Sequence, residues 1–419
     1  MIDKMIPAAF IQALRSGHWI TVERTKIISI LLIIMSTASL TLIWIFGSSP
    51  MTDALGRPIG TDFSGIWHAG KMVLQGDAIG AFDPQSHFMV QQKSFGNPQI
   101  DVYGWHYPPF FLSIAALLAL MPYVPALLMW QGLSFALFFV AIRTITNPHN
   151  LLPYVVIAFP AVFVTLGHGH NAFLTAGLLG LGLYFRQVGE YAARPILAGI
   201  LIGLLAYKPQ FGLILPIILI MSGNWRTVAS AIITVVLMCA LVTAFWGVDI
   251  WQAFIKGSHF TRVVVLEEGN TGWHKIQTLF SVVRSMGGSV MLAYAAQAML
   301  TLSIIAALIW LCIQKAPCDL INALTALGAL LATPYSLDYD MTVLGISIAF
   351  AARYAFSNGF APFEKTILAG VWIVPLCARS VMEHTGFPLG VVAMLMLWVV
   401  LLMKAFHAIK MNNAQAHIN

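Results

Sequence analysis

Long apolar runs separated by brief polar punctuation make up most of the chain. The first, "IISILLIIMSTASLTLIWIF" from Ile27 to Phe46, carries no charged residue. A helix rises about 1.5 Å per residue, so roughly 20 such residues cross a hydrocarbon core about 30 Å thick. The run is too long for a signal-peptide core and no small-residue cleavage site follows, so it is expected to remain as a span. Further apolar runs lie at about 109–121, 125–142, 151–166, 171–185, 195–207, 210–221, 228–246, 289–313, 320–332, 341–356, 366–381 and 388–403. Pro and Gly mark most junctions, as in "MPYVP", "TNPHN", "KPQ" and "TPY". Two longer polar stretches interrupt the pattern, Gly47–Tyr107 and Gly247–Gly288. The organisation predicted is a single membrane domain over 1–419. It has a first span at 27–46, an external loop at 47–107, spans over 108–246, a second external loop at 247–288 and spans over 289–410.

Composition sharpens this reading. Hydrophobic residues make up 59% of the chain and charged residues 9%, against about a quarter charged in soluble domains. The class is therefore an all-α polytopic membrane protein. A formal net charge of +6 would suggest an anionic partner in a soluble protein. Here many Lys and Arg flank spans, where topology accounts for them, so nucleic acid is not indicated as a partner. Cys239, Cys312 and Cys377 lie in apolar runs and Cys318 in a short loop, without a CxxC pair, so they read as packing residues.

Basic residues concentrate on the cytoplasmic side of membrane proteins. Lys4, Arg15, Arg24 and Lys26 put the N-terminus inside and the first long loop outside. Arg186, Arg194, Arg226, Lys315, Arg353, Lys365, Lys404 and Lys410 fit inside positions if "GHGHN", "YKPQ", the second loop and "TPYSLDYD" are outside. One conflict follows: four apolar runs precede "GHGHN", and an even number of crossings would leave it inside. Either the short run after "YPPFF" or the Leu151–Leu166 run, with Pro153 and Pro160, is expected to be re-entrant or broken. About 12 true crossings result.

In the first loop, Phe63, Ile66, Trp67, Gly70, Val73 and Leu74 recur at helical spacing. An amphipathic helix is predicted after Asp62, its aromatic side in the membrane interface. A second is expected from Asp83-Pro84, with an acid at the cap and proline in the first turn. Asp62 then stands near the outer membrane boundary, where its carboxylate serves as a helix N-cap, as a base, or as both.

Three polar clusters share that outer side. "YGWHYPPF" offers His106 and Tyr107; "GHGHN" offers His168, His170 and Asn171; "AYKPQ" and "TPYSLDYD" add Lys208, Asp338, Tyr339 and Asp340. HxH without a third ligand is weak evidence for a metal. A lysine at a helix end can simply snorkel, but on the outer side it opposes the usual charge bias and is a candidate anion ligand. A proton-coupled transporter needs titratable groups near the midplane, usually on repeated interrupted helices. The apolar runs here hold almost none. A one-sided polar site suits an enzyme acting on a lipid-borne substrate.

The successive segments "TDFSGIWHAGKMVLQGDAIGAFDP", "YPPFFLSIAALLALMP", "GHGHNAFLTAGLLGLGLYF", "AGILIGLLAYKP", "WHKIQTLFSVVRSMGG" and "TPYSLDYDMTVLG" resemble glycosyltransferase family 87. The resemblance implies a GT-C fold and a sugar, by default mannose, taken from polyprenyl phosphate at the external face of a bacterial inner membrane. Transfer goes with inversion to a hydroxyl acceptor on a glycolipid or glycan. By that resemblance Asp62 is the base, and a nucleotide-free donor calls for no cofactor and no DxD metal motif. Lys208 is the first choice for the donor phosphate, assisted by His106, His168 or His170, since a leaving phosphate needs cations or donors where its charge develops. Tyr107, Asn171, Asp338, Tyr339, Asp340, Arg262 and His274 are expected to line the cavity, with the 247–288 loop covering it. The competing readings are a transporter or flippase of lipid-linked sugars, using the same groove without a base, and a non-catalytic assembly factor.

Overall fold

The computed structural model describes residues 8–47, 49–101, 103–147, 149–187 and 193–416. These residues form helices joined by turns, with no β-strand among them. The protein is all-α and polytopic. Five helices are long and apolar enough to cross a membrane alone, and a sixth span arises if one bent pair counts as a unit.

The chain opens with the short helix α1 (Ala8–Ser16) and the long α2 (Val22–Ile45). Thr21 caps α2 by accepting the Arg24 N–H at 3.2 Å, and α2 turns Ile27, Leu31, Ile34 and Leu42 outward, as a lipid-facing helix does. The first external segment holds α3 (Thr61–Leu74) and α4 (Pro84–Phe95). Asp83 caps α4 with Pro84 at its first position, as the sequence indicates.

The helix after Asp62 differs from expectation. Rather than lying with one face in the interface, α3 is buried from Phe63 through Gly70 and again at Met72. It packs along α5 (Phe111–Ala119). Gly70 permits the contact: a Cβ there would sit 2.0 Å from the Ala115 carbonyl oxygen. Protein takes the place of lipid around this helix.

With nine residues, α5 spans only about 14 Å, and both its ends lie at the same end of the molecule. Phe111 stacks on Tyr207, ring centroids 4.9 Å apart. Just beyond the other end, the Met121 carbonyl accepts from Trp67 Nε1 at 3.0 Å and the Tyr123 hydroxyl donates to the Ile59 carbonyl at 2.7 Å. The "YPPFF" run therefore packs along α3 and does not cross, which removes the parity conflict. The Leu151–Leu166 run is broken: α6 (Tyr123–Thr146) is followed by α7 (Leu152–Ile157) and α8 (Pro160–His168). Pro160 starts α8 and forces Phe159 out of helical geometry.

The remaining elements are α9 (Ala172–Phe185), α10 (Pro195–Leu204), α11 (Leu215–Met221), α12 (Trp225–Trp246), α13 (Asp249–Phe260), α14 (Leu279–Ser285), α15 (Val290–Ile313), α16 (Cys318–Leu331), α17 (Val343–Asn358), α18 (Glu364–Ile373), α19 (Ala378–Thr385) and α20 (Leu389–Ala416). Two buried helices, α9 and α16, form the middle of the bundle. The long helices α2 and α12 are almost wholly exposed, which places them at its apolar periphery.

Contacts sort the turns into two groups at opposite ends of the bundle. One gathers Arg15 with Phe363, Trp19 with Thr366, Arg186 with Asn322 and Asn224, Arg353 with Asp319, and Lys404 with Glu364. The other gathers the first external segment, the turn after α8, Lys208, the 247–288 segment and the α16–α17 linker. Counting α7 with α8, and α18 with α19, the described chain runs twelve times between these ends, with α1, α3, α4, α5, α13 and α14 staying at one end or the other.

Candidate active site

Three chain breaks meet at the second end, each with a local cause. Gly169 ends α8 in the left-handed region at φ 61°, turning the chain into α9. A Cβ there would lie 2.7 Å from Phe63 Cβ and 2.9 Å from the Gly60 carbonyl oxygen, so only glycine lets the start of α3 approach. Pro209 breaks the path from α10 to α11 directly after Lys208. The segment 332–342 joins α16 to α17 and closes with a short 3-10 turn, Asp338–Thr342, that is buried throughout.

Asp62 sits in the first turn of α3 and does not cap it. The position before the helix is Gly60, and no side chain accepts there. Oδ2 of Asp62 is sealed from solvent and has no hydrogen-bond partner among the described residues. Its neighbour Thr61 bonds His168, Oγ1 to Nδ1 at 2.8 Å. Burial pushes the Asp62 carboxyl above the usual aspartate range; His168, Lys275 and Lys208 pull it back and Asp338 pushes it further. A carboxylate in that state is a stronger proton acceptor than a hydrated one.

Around it, the His170 ring stacks on Tyr339 at 3.5 Å, and its Nε2 is hydrogen-bonded to the Tyr107 hydroxyl at 3.2 Å. His168 meets the same Tyr339 ring edge-on at 5.4 Å. Nδ1 of His170 and both amide atoms of Asn171 are buried without partners. Such orphaned atoms are costly in a finished core and characteristic of a surface built to receive a polar group.

The structure brings together Asp62, Tyr107, His168, His170, Asn171, Lys208, Asp338, Tyr339 and Asp340, but it changes some of their roles. Lys208 neither snorkels nor stands free. Its Nζ lies 2.6 Å from Asp340 Oδ1, with side chains 5% and 2% exposed. Asp340 Oδ2 accepts the Leu337 N–H at 3.1 Å. His106 lies to one side, bonded to Thr261 Oγ1 at 2.8 Å. Burial pulls its imidazole down to about 4, so at neutral pH it carries no charge. Arg262, on the π-helical turn Thr261–Glu267, is 56% exposed and paired with Glu267 at 3.5 Å. The Asp62 group lies elsewhere. His274 belongs to the rim, 3.9 Å from Glu383.

Lys275 and Arg379 join the site in the structure. Lys275 ends the 3-10 turn Trp273–Lys275 and reaches Asp62 and Asp338 electrostatically. Arg379, on α19, places Nη1 3.6 Å from Asp338 Oδ2. The signal for Arg379 was present: it is a basic residue at the outer end of an apolar run, against the usual charge bias.

The sequence pattern of glycosyltransferase family 87 matches residues 105–334, more than half of the chain. The chain belongs to glycosyltransferase family 87. The catalogued proteins of curated function and the solved structures contain no match. The family-87 match spans the two histidine clusters, Lys208 and Lys275; Asp62, Asp338–Asp340 and Arg379 lie outside it and come to the site through the fold. A membrane glycosyltransferase with an unpartnered acid beside a one-sided polar cluster is the resulting description.

Proposed function

We propose that this glycosyltransferase transfers a mannosyl unit from polyprenyl phosphate to a hydroxyl acceptor on the extracytoplasmic face of a bacterial inner membrane. Asp62 is the general base and the anomeric centre is inverted. The observation that supports this reading is the Asp62 carboxylate, the acid of the cluster whose buried oxygen engages no donor. Asp338 and Asp340 are bound to backbone N–H groups and cations. In a single displacement the acceptor oxygen forms its bond to the anomeric carbon and gives its proton to Asp62. The bond from that carbon to the phosphate oxygen breaks on the opposite side, and its electron pair leaves on the phosphate. The unpartnered atoms of His170 and Asn171 suit sugar hydroxyls, which both donate and accept.

The test uses purified protein in detergent, with labelled mannose on polyprenyl phosphate and a hydroxyl acceptor. Wild type is expected to transfer label, and Asp62→Asn to lose roughly a hundred- to ten-thousandfold in rate. Equal turnover by the two removes Asp62 from the base role. Movement of the donor across a vesicle membrane without transfer would favour a flippase.

A further inference from the structure

We propose that Lys275 and Arg379, and not Lys208, form the subsite that holds the donor's phosphate; this rests on the polyprenyl-phosphate reading above. Lys208 is already neutralised. To reach a phosphate it would have to leave Asp340, stranding a buried carboxylate that otherwise keeps only one backbone N–H.

The rim cations are placed differently. Lys275 is half-buried and has no ion-pair partner among the described residues. Its position is fixed, because the next residues are tied to the α16–α17 linker. Gln277 N–H donates to the Ser336 carbonyl at 2.7 Å, and Ile276 bridges Leu337. That bridge sets Lys275 beside Asp338, the residue that Arg379 approaches at 3.6 Å. Asp338 Oδ1 is occupied by the Tyr339 N–H at 2.9 Å. Two partly dehydrated cations therefore face one carboxylate, and its remaining oxygen lies too far from the arginine for a hydrogen bond. Like charges held together away from bulk water call for an anion. A phosphate offers several oxygens, enough for both the arginine fork and the lysine ammonium. Both side chains stand on the same rim of the Asp62 cluster, where a lipid-borne phosphate leaves after displacement. Lys208 then acts as a positioning residue that holds Tyr339 and the linker against the helix break.

The experiment measures binding of a sugar-free, long-chain polyprenyl monophosphate to the protein in lipid nanodiscs. This readout needs neither the base nor an acceptor. Lys275→Ala and Arg379→Gln are each expected to weaken binding about tenfold or more. Lys275→Arg is expected to retain most of it, and Asp62→Asn to bind at least as well as wild type. In transfer assays the donor KM should rise while the acceptor KM stays. Binding by Lys275→Ala and Arg379→Gln within about twofold of wild type, with unchanged melting temperatures, overturns the subsite and leaves the donor class standing. A wild type that binds no polyprenyl monophosphate overturns the donor class itself.

Discussion

At the scale of single residues, Asp62 carries the reading, and its environment gives it a testable stability signature. Its carboxyl titrates above the ordinary aspartate value because burial outweighs the nearby cations. The folded state therefore binds more protons than the unfolded state between the two pKa values. By linkage, this group's contribution is present below the unfolded pKa and is lost as pH rises through the folded one. Once ionised, Asp62 thus opposes folding, and Asp62→Asn should melt no lower than wild type while losing transfer. Thermal melts at neutral pH check this, and a clear drop in melting temperature would mean that the carboxylate holds the fold together. The same sign makes wild-type transfer rise with pH through a midpoint above the usual aspartate range. Sequence could name Asp62, an acid entering an aromatic helix after a long span, but could not choose between cap and base. That depended on Gly60 taking the position before the helix with its left-handed backbone.

At the scale of elements, the site is a meeting of interrupted helices, and its fastening is the Lys208–Asp340 pair across 132 residues of chain. Both partners were legible as outer-face polar residues. Their pairing was not, because no local spacing links a Lys-Pro break to a linker so far along the sequence. A buried pair stabilises little relative to an apolar substitute, but removing one partner leaves an uncompensated charge costing about 3–5 kcal/mol. Lys208→Met should therefore lower the unfolding midpoint markedly. Adding Asp340→Leu to Lys208→Met should recover most of that loss, in a double-mutant cycle followed by thermal unfolding. Independent, additive losses would show that the two side chains do not act as a unit. The helix after Asp62 illustrates the opposite limit of legibility: its period was readable, its surroundings were not. Its apolar stripe would suit lipid equally well, and only Gly70 against Ala115 shows that protein covers it.

At the scale of the whole molecule, charge bias alone gave an orientation and one parity conflict. The fold removes the conflict through α5, a nine-residue helix whose two ends lie on the same side. Hydropathy could not tell this helix from a short span, since the difference lies in what Met121 and Tyr123 bond to. The end that gathers Arg15, Arg186, Arg353, Lys365 and Lys404 is the end that the charge rule assigns to the cytoplasm. Asp62 and its neighbours lie at the other end. The four native cysteines are all half-buried and none is in a disulfide, so a background with all four replaced permits single-cysteine mapping. Glu268→Cys, exposed on the 247–288 segment, should react with a membrane-impermeant maleimide in intact spheroplasts. Ser357→Cys, exposed at the far end of α17, should react only after permeabilisation. The opposite pattern would turn Asp62 toward the cytosol, where the lipid-phosphate donor of an extracytoplasmic transferase is not displayed, and the proposed chemistry would fail with it.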